Sequence, residues 1–294
     1  MKAKLYLLTS MLIWGSIGLF VKKAGLPSAS LAFFRGVVGG AFMLCAALVM
    51  RRPPSLPAIR KNLVLLVAAG AVLGFNWILI FESYRFAPVS LVTLVYFFAP
   101  VFVVLLSPLI LRERLTAGKL ACVAAATGGL FLVIGTDFSA GGDVLRGVLL
   151  AFAAACLNAA GLFLNKFISG IRGADNTLVQ LFASAAVLLP YVLVKDGVPA
   201  VPSGGTLLLL LLICLVHTGF AYLLYFSALP DLSAQTVAIL SYVNPVAAVV
   251  LAAVFLRERM GISQLFGAAL VLGSTALMAL QKEKKPPQET RRPA

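Results

Sequence analysis

Residues 100–114 read PVFVVLLSPLILRER, and residues 245–259 read PVAAVVLAAVFLRER. Eight of the fifteen positions are identical, including the leading Pro-Val and the closing Arg-Glu-Arg at the same spacing. Scattered Leu and Val matches arise by chance between apolar runs, but this combination does not. At the same offset Gly74-Phe75 matches Gly219-Phe220, and Phe81 matches Phe226. Near the start of each half Gly18-Leu19-Phe20 matches Gly161-Leu162-Phe163, and Lys23 matches Lys166. The chain therefore reads as two copies of one unit, residues 1–137 and 145–281. Residues 282–294, rich in Lys, Pro and Gln, read as a disordered cytoplasmic tail.

The sequence around the repeat is that of a protein dissolved in lipid. Of 294 residues, 61% are hydrophobic and 12% charged. A soluble domain carries about twice that charged fraction. A spanning helix needs about 20 mostly apolar residues. Ten such runs are present, at 4–22, 28–50, 63–85, 89–111, 118–136, 145–169, 174–194, 206–228, 232–256 and 262–280. Breakers separate them, among them Gly25-Leu26-Pro27, Pro53-Pro54, Ala87-Pro88 and Pro230-Asp231. Lys2 and Lys4 ahead of the first run imitate a signal peptide. No small-residue cleavage site follows, so an uncleaved first helix is expected. The fold class is thus an all-α membrane protein of ten helices.

The basic residues set an orientation. With the N-terminus inside, the inner ends carry Lys2, Lys4, Arg51, Arg52, Arg60, Lys61, Arg112, Arg114, Lys119, Lys166, Arg172, Lys282, Lys284, Lys285, Arg291 and Arg292, which makes 16. The outer ends carry Lys22, Lys23, Arg85, Arg146, Lys195, Arg257 and Arg259, which makes 7. With the bacterial inner membrane as the expected location, the positive-inside rule then favours both termini in the cytoplasm. It also accounts for the net charge of +14 without a nucleic-acid partner. A five-helix unit is odd in number, so the second unit enters the membrane from the opposite side. Inverted repeats of this kind build two alternating gates around one midplane site.

Trp14-Gly15 in the first helix, Arg35 in the second and the paired Pro-to-Arg-Glu-Arg segments resemble the EamA-like members of the drug/metabolite transporter superfamily. The resemblance runs over the whole chain apart from the tail. The acidic residue that follows each proline-containing helix in that family is matched by Glu113 and Glu258. The resemblance implies a central cavity lined by helices 1–4 and 6–9, with helices 5 and 10 at the periphery.

Candidate site residues follow from polarity within apolar runs. Arg35 lies about 10 Å from the outer end of helix 2 at 1.5 Å per residue. A charge at that depth faces a cavity or a partner. It reads either as an anchor for a substrate carboxylate or as a structural peg bonded to backbone carbonyls or snorkelling outward. Gly36, Gly39 and Gly40 beside it suit close helix packing. Asn76, Asn158, His217 and Asn244 form a polar belt near the bilayer centre, with Trp14 and Trp77 at similar depth. The amides read as cavity lining or as interhelical glue. His217, the single histidine, reads as a proton relay or as a hydrogen-bonded core residue. Tyr96, Phe97, Tyr222, Tyr225 and Tyr242 supply aromatic walls or lipid-facing belts. Glu82 lies three residues before Arg85 and reads as its ion-pair partner. Pro100 and Pro245 are expected to kink corresponding helices and to serve gating. Cys45, Cys122, Cys156 and Cys214 lie far apart in apolar runs and read as small buried hydrophobes.

No HExxH, P-loop or GxSxG is present, and acidic residues number ten. Enzymatic activity, cofactors and metal sites are therefore not expected. The expected function is a secondary transporter that exports amino acids, aromatic or hydrophobic ones included, by alternating access. The alternative is a multidrug exporter of lipophilic cations driven by proton exchange, which would call for a deep glutamate rather than a deep arginine. The expected partners are a small-molecule substrate and the lipid bilayer, with the chain a monomer or weak homodimer.

Overall fold

In hydrocarbon, an unpaired backbone N–H or C=O has no water to turn to, so a chain this apolar crosses as helices. The computed structural model describes residues 2–111, 115–135 and 142–280. The first Arg-Glu-Arg triplet, with Glu113, and the expected tail lie outside the described residues. Among the described residues ten helices are long and apolar enough to span. They are α1 (Lys2–Ala24), α2 (Ser28–Val49), α3 (Leu56–Phe86), α4 (Val89–Ile110) and α5 (Ala117–Gly135). The others are α6 (Gly142–Phe167), α7 (Gly173–Lys195), α8 (Gly204–Asp231), α9 (Gln235–Phe255) and α10 (Ile262–Leu280). The end of the bundle that holds Lys2 is called proximal, and the other end distal.

α3 and α8 extend past their apolar runs. α3 begins at Leu56 rather than 63, because Pro57 occupies its first turn, where a missing N–H costs nothing. The exposed Arg60 and Lys61 extend it beyond the apolar stretch. α8 continues to Asp231 through a 3₁₀ turn at Leu229–Asp231. Two other helices are interrupted within single apolar runs, at the prolines expected to kink them. α4 consists of Val89–Tyr96 and Ala99–Ile110. α9 is likewise divided at Tyr242, just ahead of Val243–Phe255. Each break falls just before a proline. Pro100 and Pro245 have no N–H for the carbonyls of Tyr96 and Ser241, and their rings crowd the preceding turn.

The packing pairs exchange when the two halves are exchanged. α1 packs on α9, and α6 on α4. α3 packs on α6 and α7, and α8 on α1 and α2. α2 meets α7, and α5 meets α10 to one side of the rest. Between lipid-soaked helices there is little hydrophobic drive, so close contact depends on small residues. At the α5–α10 crossing, a Cβ on Gly129 would lie 2.7 Å from the Gly267 carbonyl oxygen. On α2, a Cβ on Gly36 would lie 2.7 Å from the Leu181 carbonyl of α7, as the glycine run suggested.

Polar side chains tie the helix ends. Distally, Ser30 donates from its N–H (3.1 Å) and hydroxyl (2.8 Å) to Asp196. Ser28 donates its hydroxyl to Glu82 at 2.7 Å, and Arg85 reaches the same carboxylate at 3.4 Å, the expected pair. Proximally, Arg172 binds Asp175 at 2.9 Å and donates to the Pro53 carbonyl at 2.6 Å. No disulfide joins the four cysteines. Cys122 and Cys214 are buried as expected, whereas Cys45 and Cys156 are exposed. A thiol is apolar enough to sit on a lipid-facing surface.

Gly129→Val should force α5 from α10 and cost about 1–3 kcal/mol, as overpacking does. Gly128→Val is the control, because no atom lies within 4 Å of a Cβ there. Equal melting temperatures for the two variants in detergent would show that the crossing is not close-packed.

Candidate functional site

Polar and aromatic side chains from α1–α4, α8 and α9 converge on one cavity of about 190 Å³. Trp14, Gly15 and Gly18 come from α1 and Arg35 from α2. Trp77, Phe81 and Tyr84 face it from α3, and Thr93 and Tyr96 from α4. Tyr222 and Asn244 complete it from α8 and α9. The aromatic rings interlock, with Trp14 edge-on to Tyr222 at 5.1 Å between centroids.

Arg35 is 3% exposed, and its guanidinium lies 3.8 Å from the centroid of the Trp77 ring. Its Nε donates to Thr218 Oγ1 at 2.9 Å. Among the described residues no carboxylate pairs with it, and no buried side-chain nitrogen lacks a partner. Its terminal nitrogens therefore border the cavity rather than dead protein. A cation over an aromatic face is worth about 2 kcal/mol when desolvated. That offsets only part of the cost of burying a charge. The charge that Arg35 brings to the cavity is thus not neutralised by any described carboxylate.

Of the residues singled out from sequence, Trp14, Arg35, Trp77, Tyr96, Phe97, Tyr222 and Asn244 meet at the cavity, whereas Tyr225 is not among the lining residues and packs on Trp14. Asn76 stands one layer behind. It accepts from the Tyr96 hydroxyl at 3.2 Å and donates to the Ala154 carbonyl of α6. It is thus interhelical glue that also aims a lining tyrosine. Asn158 and Tyr242 are not among the lining residues, and Tyr242 faces Thr275 of α10 instead. His217 is also away from the lining. Its ring sits 3.0 Å from Ser16 Oγ and 3.2 Å from the Leu212 carbonyl. The expectation that α6 and α7 line the cavity does not hold, because α3 and α2 pack flush against them and stand between. Pro100 and Pro245 sit at the helix breaks rather than at the cavity wall.

The distal roof of the cavity is held by Glu258. Its carboxylate accepts from the N–H groups of Val89 (2.8 Å) and Ser90 (3.0 Å) and from the Ser90 hydroxyl (2.7 Å). Lys22 of α1 approaches to 3.5 Å. Three ends, of α1, α4 and α9, are thereby drawn together. A carboxylate at the start of α4 satisfies orphan N–H groups and complements the helix dipole.

With the fold and site described, comparison with known proteins becomes informative. The profile of the EamA-like transporter family matches residues 1–135 and again residues 145–280. The chain belongs to the EamA-like transporter family. It is 28% identical over 285 residues to the uncharacterized transporter YxxF of Bacillus subtilis (strain 168), covering 96% of this chain and 91% of that one. It is 26% identical to the uncharacterized transporter YojE of the same organism, covering 96% and 95%. Protein PecM of Dickeya dadantii (strain 3937) is 25% identical, covering 84% and 86%. A solved crystal structure at 21% identity superposes with a TM-score of 0.64, covering 95% of this chain and 99% of that chain. At that identity it supports the fold alone. The chain is a multi-pass membrane transporter of small compounds, not an enzyme.

Sequence reading of this EamA-like transporter passed over Phe81 as a site residue, along with Tyr84, Thr93 and Thr218. An aromatic or threonine inside an apolar run carries no mark of which way it faces. Phe81 alone had a signal, its match to Phe226 in the repeat.

If Glu258 holds the roof, Glu258→Ala should open it from the distal side. A Thr93→Cys probe in a background without the native cysteines should then react about tenfold faster with a membrane-impermeant thiol reagent, the loss of charge-assisted contacts being worth about 1.5–3 kcal/mol. An unchanged rate would remove Glu258 from this role.

Proposed function

We propose that this transporter exports amino acids, or small carboxylated metabolites like them, by alternating access, with Arg35 binding the carboxylate. The observation that carries this reading is the deep guanidinium with no carboxylate partner among the described residues. A substrate carboxylate can take the bidentate position that a fixed counter-ion would otherwise fill. The surrounding Trp14, Trp77 and Tyr222 suit the aliphatic or aromatic body of an amino acid.

Two features speak against the multidrug alternative. No described acidic residue lines the cavity, so a lipophilic cation would meet Arg35 without compensation. At about 190 Å³ the cavity is also smaller than the roughly 300–1,000 Å³ of pockets for drug-sized ligands.

Alternating access is supported by an imbalance between matched half-helices. Residues 89–95 of α4 are all buried, whereas none of residues 235–241 of α9 is. In our reading the distal gate is shut and the proximal gate open. The 16-to-7 basic split favours a cytoplasmic proximal side, and the bacterial relatives support the inner membrane as its location. The two matched halves act as inverted units whose prolines are the flexing points.

The test uses purified protein in liposomes, with a panel of labelled amino acids and lipophilic cations, with and without a pH gradient. Amino-acid uptake by wild type should fall roughly ten- to a hundredfold in affinity in Arg35→Gln, with Arg35→Lys restoring part of it. Saturable transport of cations but not of carboxylates would sink the proposal. So would wild-type affinity in a well-folded Arg35→Gln protein.

Pro100→Ala and Pro245→Ala should each let a helix run on through its break. Turnover should then change more than substrate affinity. Wild-type turnover in both variants would rule out a gating role.

A further inference from the structure

α8 leaves the α-helical path over Leu212–Phe220, where nine residues form a π-helical stretch. Such widening is rare, is mostly limited to single turns, and occurs frequently at functional sites. Here it changes where three polar groups go. The Ala221 N–H, which in an α-helix would bond the His217 carbonyl, bonds the Val216 and Thr218 carbonyls. The His217 carbonyl instead accepts the Trp14 indole N–H at 3.0 Å. Thr218 donates its hydroxyl to the Ile213 carbonyl five residues back, at 3.1 Å. That leaves an oxygen lone pair aimed at Arg35 Nε, 2.9 Å away. The His217 ring likewise reaches back five residues to the Leu212 carbonyl and across to Ser16 of α1.

α2 is close enough for this contact because Gly39, one turn beyond Arg35, has no side chain. A Cβ there would lie 3.0 Å from Thr218 Cβ. The wide turn therefore grips both cavity residues that carry the most specific chemistry, the Trp14 indole and the Arg35 guanidinium. Neither His217 nor Thr218, which make these grips from α8, is among the lining residues. Return of the stretch to α-helix would send the His217 carbonyl back to Ala221 and rotate Thr218 off Arg35.

We infer that the π-helical stretch of α8 is the positioning element of the substrate cavity, with Thr218 as the positioning residue that presents Arg35 to a substrate carboxylate. This rests on the carboxylate reading of Arg35. Fixing Nε leaves the two terminal nitrogens as a fork facing the cavity, and it holds the guanidinium plane over Trp77. The Thr218 hydroxyl thus acts on affinity through Arg35 without touching substrate.

The test uses the full chain in lipid, with Thr218→Val, Thr218→Ser and Arg35→Gln. The protein has two tryptophans, and both line the cavity. In a Trp14→Phe background, emission reports Trp77 and hence the guanidinium stacked on it. Thr218→Val keeps the side-chain shape and removes the hydroxyl. It should shift Trp77 emission in the same direction as Arg35→Gln, and Thr218→Ser should keep the wild-type spectrum. With Trp14 intact, Thr218→Val should raise KM for the transported amino acid about five- to tenfold with a smaller change in kcat, and Thr218→Ser should stay within about twofold. Melting temperatures are read on the same samples. Wild-type emission in Thr218→Val overturns the inference, as does an equal shift in Thr218→Ser. If Arg35→Gln shifts emission yet keeps wild-type uptake, the carboxylate reading fails while the positioning contact stands.

Discussion

Arg35 brings a full positive charge into a membrane-spanning helix, and the described residues give it no carboxylate. The protein spreads the burden among weaker partners: the Trp77 face, the Thr218 hydroxyl and a largely aromatic cavity that leaves the guanidinium tips open. Pairing Arg35 with a fixed acid would have been the more stable arrangement for the protein alone, but it would have neutralised the site. The glycines of α2 belong to the same solution, since Gly36 and Gly39 let α7 and α8 approach the helix that carries the charge.

A second constraint is that lipid does not forgive a broken hydrogen-bond ladder. Three helices are nonetheless irregular among the described residues, and they are repaired in two ways. At α4 and α9 the prolines end one helical segment and begin another, with bonds such as Phe98 N–H to the Val95 carbonyl tightening the turn. In the π-helical stretch of α8 no residue is missing a donor. The ladder is shifted to i−5, and side chains and Trp14 take up the displaced carbonyls. All three lie in helices that face the cavity, where polar groups from other helices are at hand. α5 and α10, packed on each other at the side, are regular throughout their described spans.

The carboxylates sit at the opposite extreme of depth. Glu82, Asp175, Asp196 and Glu258 all lie at helix ends, where they bind hydroxyls and N–H groups of neighbouring helices. Their work is to set which ends stay together. Glu258 joins α9 to α4 and α1 at the roof, while Asp175 with Arg172 joins α7 to the segment before α3. Among the described residues these carboxylates thus lie at the rims, and the charged residue that lines the cavity is Arg35.

The sequence by itself determined the number of spans, the family and the residue at the centre of the cavity. Apolar run length and the matched Pro-to-Arg-Glu-Arg segments suffice for the first two, because lipid imposes the same minimum on every helix. Arg35 was legible because a charge in such a run is anomalous whatever surrounds it. The prolines likewise announced the breaks in α4 and α9 through their missing N–H groups. Which amides line the cavity was not legible. Asn76, Asn158 and Asn244 look alike in sequence, yet only Asn244 faces the cavity, since facing depends on how α3 and α6 are rotated against each other. The π-helical stretch had no mark either, since Leu212–Phe220 contains no proline and no unusual residue but His217. Only tertiary structure decided it, because a shifted ladder is stable only when neighbouring helices supply partners, here Arg35 and Trp14, for the groups it releases.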